Sequence, residues 1–234
     1  MISWADYHLL PLLWVALSVL LYLAGVHLSA ILERGGRSQR IAWEVHRPPL
    51  RYLFQAGYFL GVPYWALLQG ALLPRLLGLA DLNWPQDVGA GLSWGLIALA
   101  LTWLIFWYVR GRERSDVLFR RPATITLLWN AVLFQTHWCF YRAALSQTLN
   151  DVYWGAFASL IPLALETVLH PSLRRWLGQA RFSPYFIMSR LAILGVTTVL
   201  YLYMRNWLLL IFMHWLGEIV LAALFTSRSP VESG

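Results

Sequence analysis

Seven apolar stretches, each close to twenty residues long, decide most of what this chain can become. About twenty apolar residues are needed for a helix to cross roughly 30 Å of hydrocarbon. On that ruler the candidates are residues 9–31, 52–73, 88–109, 124–146, 152–170, 186–204 and 207–226. Only helices and closed barrels satisfy every backbone group inside a bilayer, and runs of this length and continuity select helices. Charged residues make up 12% of the 234-residue chain, about half the share of an ordinary soluble domain. The expectation is therefore an all-α, polytopic transmembrane bundle of about seven helices in contact with the lipid bilayer.

Arginine placement orients the predicted spans. The net charge of +7 is carried entirely by arginine, with no lysine. Arg34, Arg37, Arg40, Arg47 and Arg51 follow the first stretch. Arg110, Arg112, Arg114, Arg120 and Arg121 follow the third, and Arg174, Arg175 and Arg181 follow the fifth. The alternate loops hold Arg75 with Asp81 and Asp87, then Asp151, then Arg205. Positive-inside bias puts the arginine-rich loops in the cytoplasm, the N-terminus outside and the C-terminus inside, as in a bacterial inner-membrane protein. Loop arginines of this kind meet anionic headgroups, so no nucleic-acid partner is expected. One cysteine, Cys139, excludes an internal disulfide and a cysteine metal cage.

Tryptophans near span ends (Trp4, Trp43, Trp84, Trp176, Trp207) suit the interface, whereas Trp94, Trp103, Trp138 and Trp215 lie deeper and are read as packing. Pro63 and Pro162 fall inside spans and are expected to bend them. Arg205-Asn206 alone separates the last two stretches, which predicts a tight helical hairpin.

Only two acidic residues stand within the apolar stretches, Glu166 and Glu218, and each lies four residues from a histidine, His170 and His214. Placing a charged side chain at mid-helix costs about 2.5–3.5 kcal/mol on insertion scales, so such residues turn toward a partner or a cavity. A spacing of four puts both members of a pair on one helical face. The fourth stretch adds Gln135, Thr136, His137, Tyr141 and Arg142. His137, Arg142, Glu166, His170, His214 and Glu218 are the candidate catalytic set. The bland alternatives are hydrogen-bonded core histidines, interfacial snorkelling for Arg142, and a buried carboxylic acid for Glu166. His8, His27 and His46 lack comparable partners and are read as structural.

The segment from Leu191-Ala-Ile-Leu-Gly195 through Tyr201-Leu-Tyr-Met-Arg-Asn206 to His214-Trp-Leu-Gly-Glu218 resembles the closing motif of the CPBP glutamic-type intramembrane proteases. That is the CAAX-protease and bacteriocin-processing family. His137-Trp-Cys-Phe-Tyr-Arg142 has the outline of its Glu-Glu-x-x-x-Arg motif, and His170, followed by Pro171, falls where its second-motif histidine stands. The resemblance covers roughly residues 124–222. It implies a CPBP-like core over 124–226 with a four-helix architecture; the hydropathy pattern places an N-terminal three-span region over 1–123 before it, and a flexible tail is expected at 227–234. It further implies an intramembrane protease acting on transmembrane or lipidated peptides without a cofactor.

The chain departs from the family at the chemistry. His137 and Trp138 stand in place of the paired glutamates, Glu166 in place of an aromatic, and Glu218 in place of the last motif's asparagine. Three functional readings follow. One is a rearranged hydrolase with Glu166 or Glu218 as the base. Another is a metal enzyme in which His137, Glu166, His170, His214 and Glu218 hold zinc, iron or manganese. The third is a non-catalytic relative that binds a membrane-protein partner.

Overall fold

A computed structural model describes residues 4–34, 48–110, 123–171 and 185–225. The described chain is all-α. In order it forms α1 (Trp4–Arg34), α2 (Pro48–Ala56), a π-helical segment (Gly57–Gly61), α3 (Val62–Leu68) and α4 (Pro74–Leu77). Then come α5 (Trp84–Arg110), α6 (Thr124–Leu149), α7 (Val152–Ala158), α8 (Leu160–Leu169), α9 (Tyr185–Tyr203) and α10 (Trp207–Phe225). Among the described residues, four stretches are long and apolar enough to cross a membrane: His8–Ile31, Trp84–Tyr108, Val152–Leu169 and Trp207–Leu224. The arginine-rich loops at 35–47, 111–122 and 172–184, with Trp43, His46 and Trp176, lie outside the described residues, as does the tail from 226 on.

The chain divides into two compact units. One comprises Met1–Asp81 and Thr136–Ser183, the other Leu82–Gln135 and Pro184–Gly234, so the division falls inside α6. In the first unit, α1 packs along α8, and the α2–π–α3 rod is one helix with a wide turn in its middle. Pro63 explains that turn. Proline has no N–H to give, and its ring crowds the carbonyl four residues earlier, at Phe59. An extra residue in the turn relieves the conflict, as π segments commonly do. Pro162 acts likewise on the predicted span 152–170, where Ser159 separates α7 from α8 and its hydroxyl donates to the Ala156 carbonyl at 2.6 Å. The predicted span 52–73 stops at Leu68, because Gly70 takes a left-handed φ of 70° and turns the chain.

Short caps make the hairpins. Asn150 is left-handed (φ 51°), and the Asp151 carboxylate accepts from Trp154 N at 2.8 Å to cap α7. This turn lets α6 and α7 approach very closely, and a Cβ on Gly155 would run into the backbone of Ser146.

In the second unit, α5, α9 and α10 pack against one another. The contact uses small residues, as close-packed membrane helices do. A Cβ on Gly217 would touch Leu99 at 3.3 Å and Ile193 at 3.5 Å, and one on Gly95 would meet the Met213 sulfur at 2.7 Å. The α9–α10 hairpin predicted from Arg205-Asn206 is present, with Asn206 fully buried as its hinge. Its Oδ1 accepts from Leu209 N at 3.3 Å, which caps α10, and its Nδ2 donates to Asp87 at 3.4 Å.

Of the deep tryptophans, Trp138 is buried, whereas Trp94 and Trp103 face outward and stack on Tyr203 and Trp107. With Leu92, Leu96, Ile97 and Leu101 they coat α5 with a surface suited to lipid.

The Gly155 contact makes a specific prediction. Gly155→Ala should cost about 1–3 kcal/mol through overpacking. Gly195→Ala, where a Cβ meets nothing within 4 Å, should be neutral or gain about 0.5–1 kcal/mol from helix propensity. Unfolding of the detergent-solubilised variants measures both, and equal midpoints would rule out the tight α6–α7 approach.

Candidate functional site

α6 carries the most polar membrane-length sequence in the chain, and every residue from 137 to 147 is buried. A helix that is buried all round can carry polar side chains only if they find partners in the protein. His137 finds Glu166, which α8 presents from across the unit. The His137 Nε2 atom lies 3.2 Å from Oε1 and 3.1 Å from Oε2 of Glu166, with both residues buried.

Two phenols and a serine complete this cluster. Tyr58, from the π segment, donates to Glu166 Oε1 at 2.9 Å. Tyr141, one turn beyond His137 on α6, donates to the same oxygen. Ser18 of α1 is fully buried behind both phenols, its Oγ 3.0 Å from the Tyr58 hydroxyl and 3.2 Å from that of Tyr141. Aromatic rings wall the imidazole, with Tyr141 at 4.4 Å and Tyr58 and Phe59 each at 5.1 Å between centroids. A carboxylate accepts only, so three donors converging on Glu166 suit an acid held inside hydrocarbon.

This geometry sets the histidine tautomer. Nε2 faces two carboxylate oxygens, so the proton sits on Nε2 and the lone pair on Nδ1. Nδ1 is itself buried, and among the described residues no hydrogen-bonding group reaches it. A buried lone pair held in one orientation by a carboxylate on the opposite nitrogen is the arrangement of a general base.

His170 is placed differently from the reading by sequence spacing. It is the C-cap of α8, with a helical φ of −65° and an extended ψ of 123° that turns the chain after it. Its ring packs 6.0 Å from Tyr22, which packs 5.7 Å from Tyr58. His170 therefore adjoins the cluster through aromatic rings. Arg142 is fully buried rather than snorkelling to an interface.

His214 and Glu218 belong to the second unit and do keep their one-face pairing, with Nε2 3.5 Å from Oε1. His214 Nδ1 lies 3.3 Å from Gln135 Oε1. Arg190 of α9 comes within 3.8 Å of Glu218 and lies over the Phe134 ring at 4.2 Å. Each unit thus holds one histidine–carboxylate pair. Among the described residues no three His, Cys, Asp or Glu side chains gather to hold a metal ion. The five-ligand zinc, iron or manganese site accordingly has no support in the geometry.

Sequence reasoning missed Ser18, Tyr58 and Arg190. Serine and tyrosine on apolar helices carry no spacing signature, and an arginine near a span end is ordinarily read as snorkelling. The one available signal was Pro63, which marks a local distortion next to Tyr58. Compared against protein-family models, curated proteins and solved structures, the chain matches none.

The second unit's pair can be tested by a double-mutant cycle. Arg190→Met should destabilise the protein by leaving Glu218 without its cation, and Glu218→Gln should remove most of that loss. The expected coupling is about 0.5–3 kcal/mol. Additive effects in thermal unfolding would mean that the 3.8 Å approach carries no energy.

Proposed function

We propose that the protein is an intramembrane hydrolase of the CPBP-protease type, cleaving a peptide bond in a transmembrane or membrane-proximal segment. His137 is its general base and Glu166 the group that orients it. The observation that carries this reading is the buried Nδ1 of His137, which meets no hydrogen-bonding group among the described residues and whose tautomer Glu166 fixes from the other side. The motif resemblance over residues 124–222 supports it, together with the seven-span, N-outside arrangement expected from the arginine loops.

The step balances simply. His137 Nδ1 takes a proton from water while the water oxygen bonds to the scissile carbonyl carbon. The imidazolium so formed is stabilised by Glu166 through Nε2–H. The Nδ1 proton then passes to the departing amine nitrogen as the C–N bond breaks. The histidine at 137 stands where the family places its first glutamate, and it keeps the role of base while changing the chemical group. The acid moves one helix away, to α8, and acts through the imidazole.

One observation favours a second reading, in which the cluster is a structural lock in a non-catalytic partner protein. The hydrogen bonds at Glu166 join α1, the π segment, α6 and α8, and a lock would need those bonds and nothing else.

Two experiments separate the readings. With a reporter peptide presented in proteoliposomes, His137→Ala and Glu166→Gln should each lower the turnover rate by about 10²–10⁴-fold while the protein stays folded. ¹⁵N NMR of histidine-labelled protein should show His137 protonated at Nε2 and bare at Nδ1. Turnover unchanged in both variants would leave the lock.

A further inference from the structure

We infer that the N-terminal helices supply part of the proposed site, with Tyr58, backed by Ser18, acting as the positioning residue that fixes the Glu166 carboxylate on His137. This rests on the reading of His137 as a base and Glu166 as its holder.

The need for a third group follows from the geometry of the pair. His137 Nε2 is almost equidistant from the two carboxylate oxygens, at 3.2 and 3.1 Å, so its single N–H does not select between them. The terminal torsion of a glutamate is broad and nearly two-fold, so one N–H leaves the carboxylate free to swing about its axis. The imidazole would swing with it, and Nδ1 would lose its aim. Two hydroxyls on the same oxygen, Oε1, remove that freedom.

The two phenols are not equivalent. Tyr141 shares α6 with His137 and moves with it as one rigid element. Tyr58 arrives from a separate helix and touches both members of the pair, 2.9 Å from Glu166 Oε1 and 3.5 Å from His137 Nε2. It therefore sets their relation to the rest of the unit.

Ser18 gives the contact its direction. A phenol has one proton, so a Tyr58 that donates to Glu166 accepts from a neighbour. The Ser18 Oγ–H, 3.0 Å away, is that donor. The chain then runs Ser18 Oγ–H to Tyr58 O–H to Glu166, and aligned hydrogen bonds in a low-dielectric interior reinforce one another. The alternative acceptor for the Tyr58 proton is the Ser18 carbonyl, at 3.2 Å. The shorter contact, to Glu166 at 2.9 Å, is also the one to a charged acceptor. The π turn contributes the placement, since Tyr58 lies within the segment that Pro63 distorts.

Tyr58→Phe removes the hydroxyl and keeps the ring. In the full-length protein the turnover number for the reporter peptide should fall about 10-fold or more, the effect of one hydrogen bond to a charged group, with KM unchanged. The His137 ¹⁵N signals should change from one tautomer to a mixture, which a merely structural loss in a folded protein would not produce. Ser18→Ala should move the same two observables in the same direction by a smaller factor, and it serves if Tyr58→Phe does not fold. Wild-type turnover and an unchanged single tautomer in the folded variant would overturn the inference. If that result came with an inactive Glu166→Gln, the reading of the His137–Glu166 pair would still stand. An active Glu166→Gln would sink that reading and, with it, this inference.

Discussion

A carboxylate inside hydrocarbon has to find its donors in the protein, and the first unit is organised around that requirement at Glu166. Glu166 is buried, and a buried acceptor left unmet costs several kcal/mol. Three donors from two different elements reach the acid on α8: Tyr58 from the π segment, and Tyr141 and His137 from α6. Ser18 ties α1 into the same network. Lipid-exposed apolar faces give membrane helices little reason to choose one packing over another, since lipid tails are as apolar as leucine. A shared polar centre supplies the choice. Removing the acid would strand two phenols and an imidazole, so the network specifies the packing of the whole unit.

The second unit reaches specificity by another route. Its helices meet through Gly91, Gly95 and Gly217, where Met204, Met213, Leu99 and Ile193 fill the space a side chain would occupy. Close approach of backbones, with the buried Asn206–Asp87 contact at the hairpin turn, sets the register there. The His214–Glu218–Arg190 cluster is looser, with separations of 3.5 and 3.8 Å, against 3.1–3.2 Å and shared donors in the first unit. The tighter and more completely bonded of the two is the one suited to hold a reactive group still.

Much of the helical layout was legible in the sequence because length and hydropathy are local. Stretches 88–109, 124–146, 186–204 and 207–226 correspond closely to α5, α6, α9 and α10. The error at 52–73 came from Gly70, an apolar-run residue whose left-handed backbone ends the helix early. The candidate residues were legible by chemical type, because an acid or histidine in an apolar run is conspicuous. Their pairing was legible only where a helix stayed regular across the interval. His214 and Glu218 share a face as spacing requires, and His170, at the end of α8, packs its ring 6.0 Å from Tyr22. The Glu166–His137 contact spans 29 residues and two helices, and no periodicity encodes it. Tyr58 and Ser18 were invisible for the same reason, since their role depends on which helix lies opposite.

That asymmetry bears on how far a motif can be read in a membrane protein. Every residue of α6 from 137 to 147 is buried, so this helix gathers histidine, arginine, serine and glutamine side chains inside the protein. What a hydrolase needs at this position is a lone pair held in place, and a carboxylate or an imidazole can each provide it. A carboxylate in that role needs donors that leave one oxygen free. An imidazole needs a single acceptor on its far nitrogen and nothing on the near one. His137 meets the second condition, with Glu166 at Nε2 and no described hydrogen-bonding group at Nδ1. An acid on α8 that faces Nε2 from across the unit is therefore what an imidazole base would need of the surrounding helices.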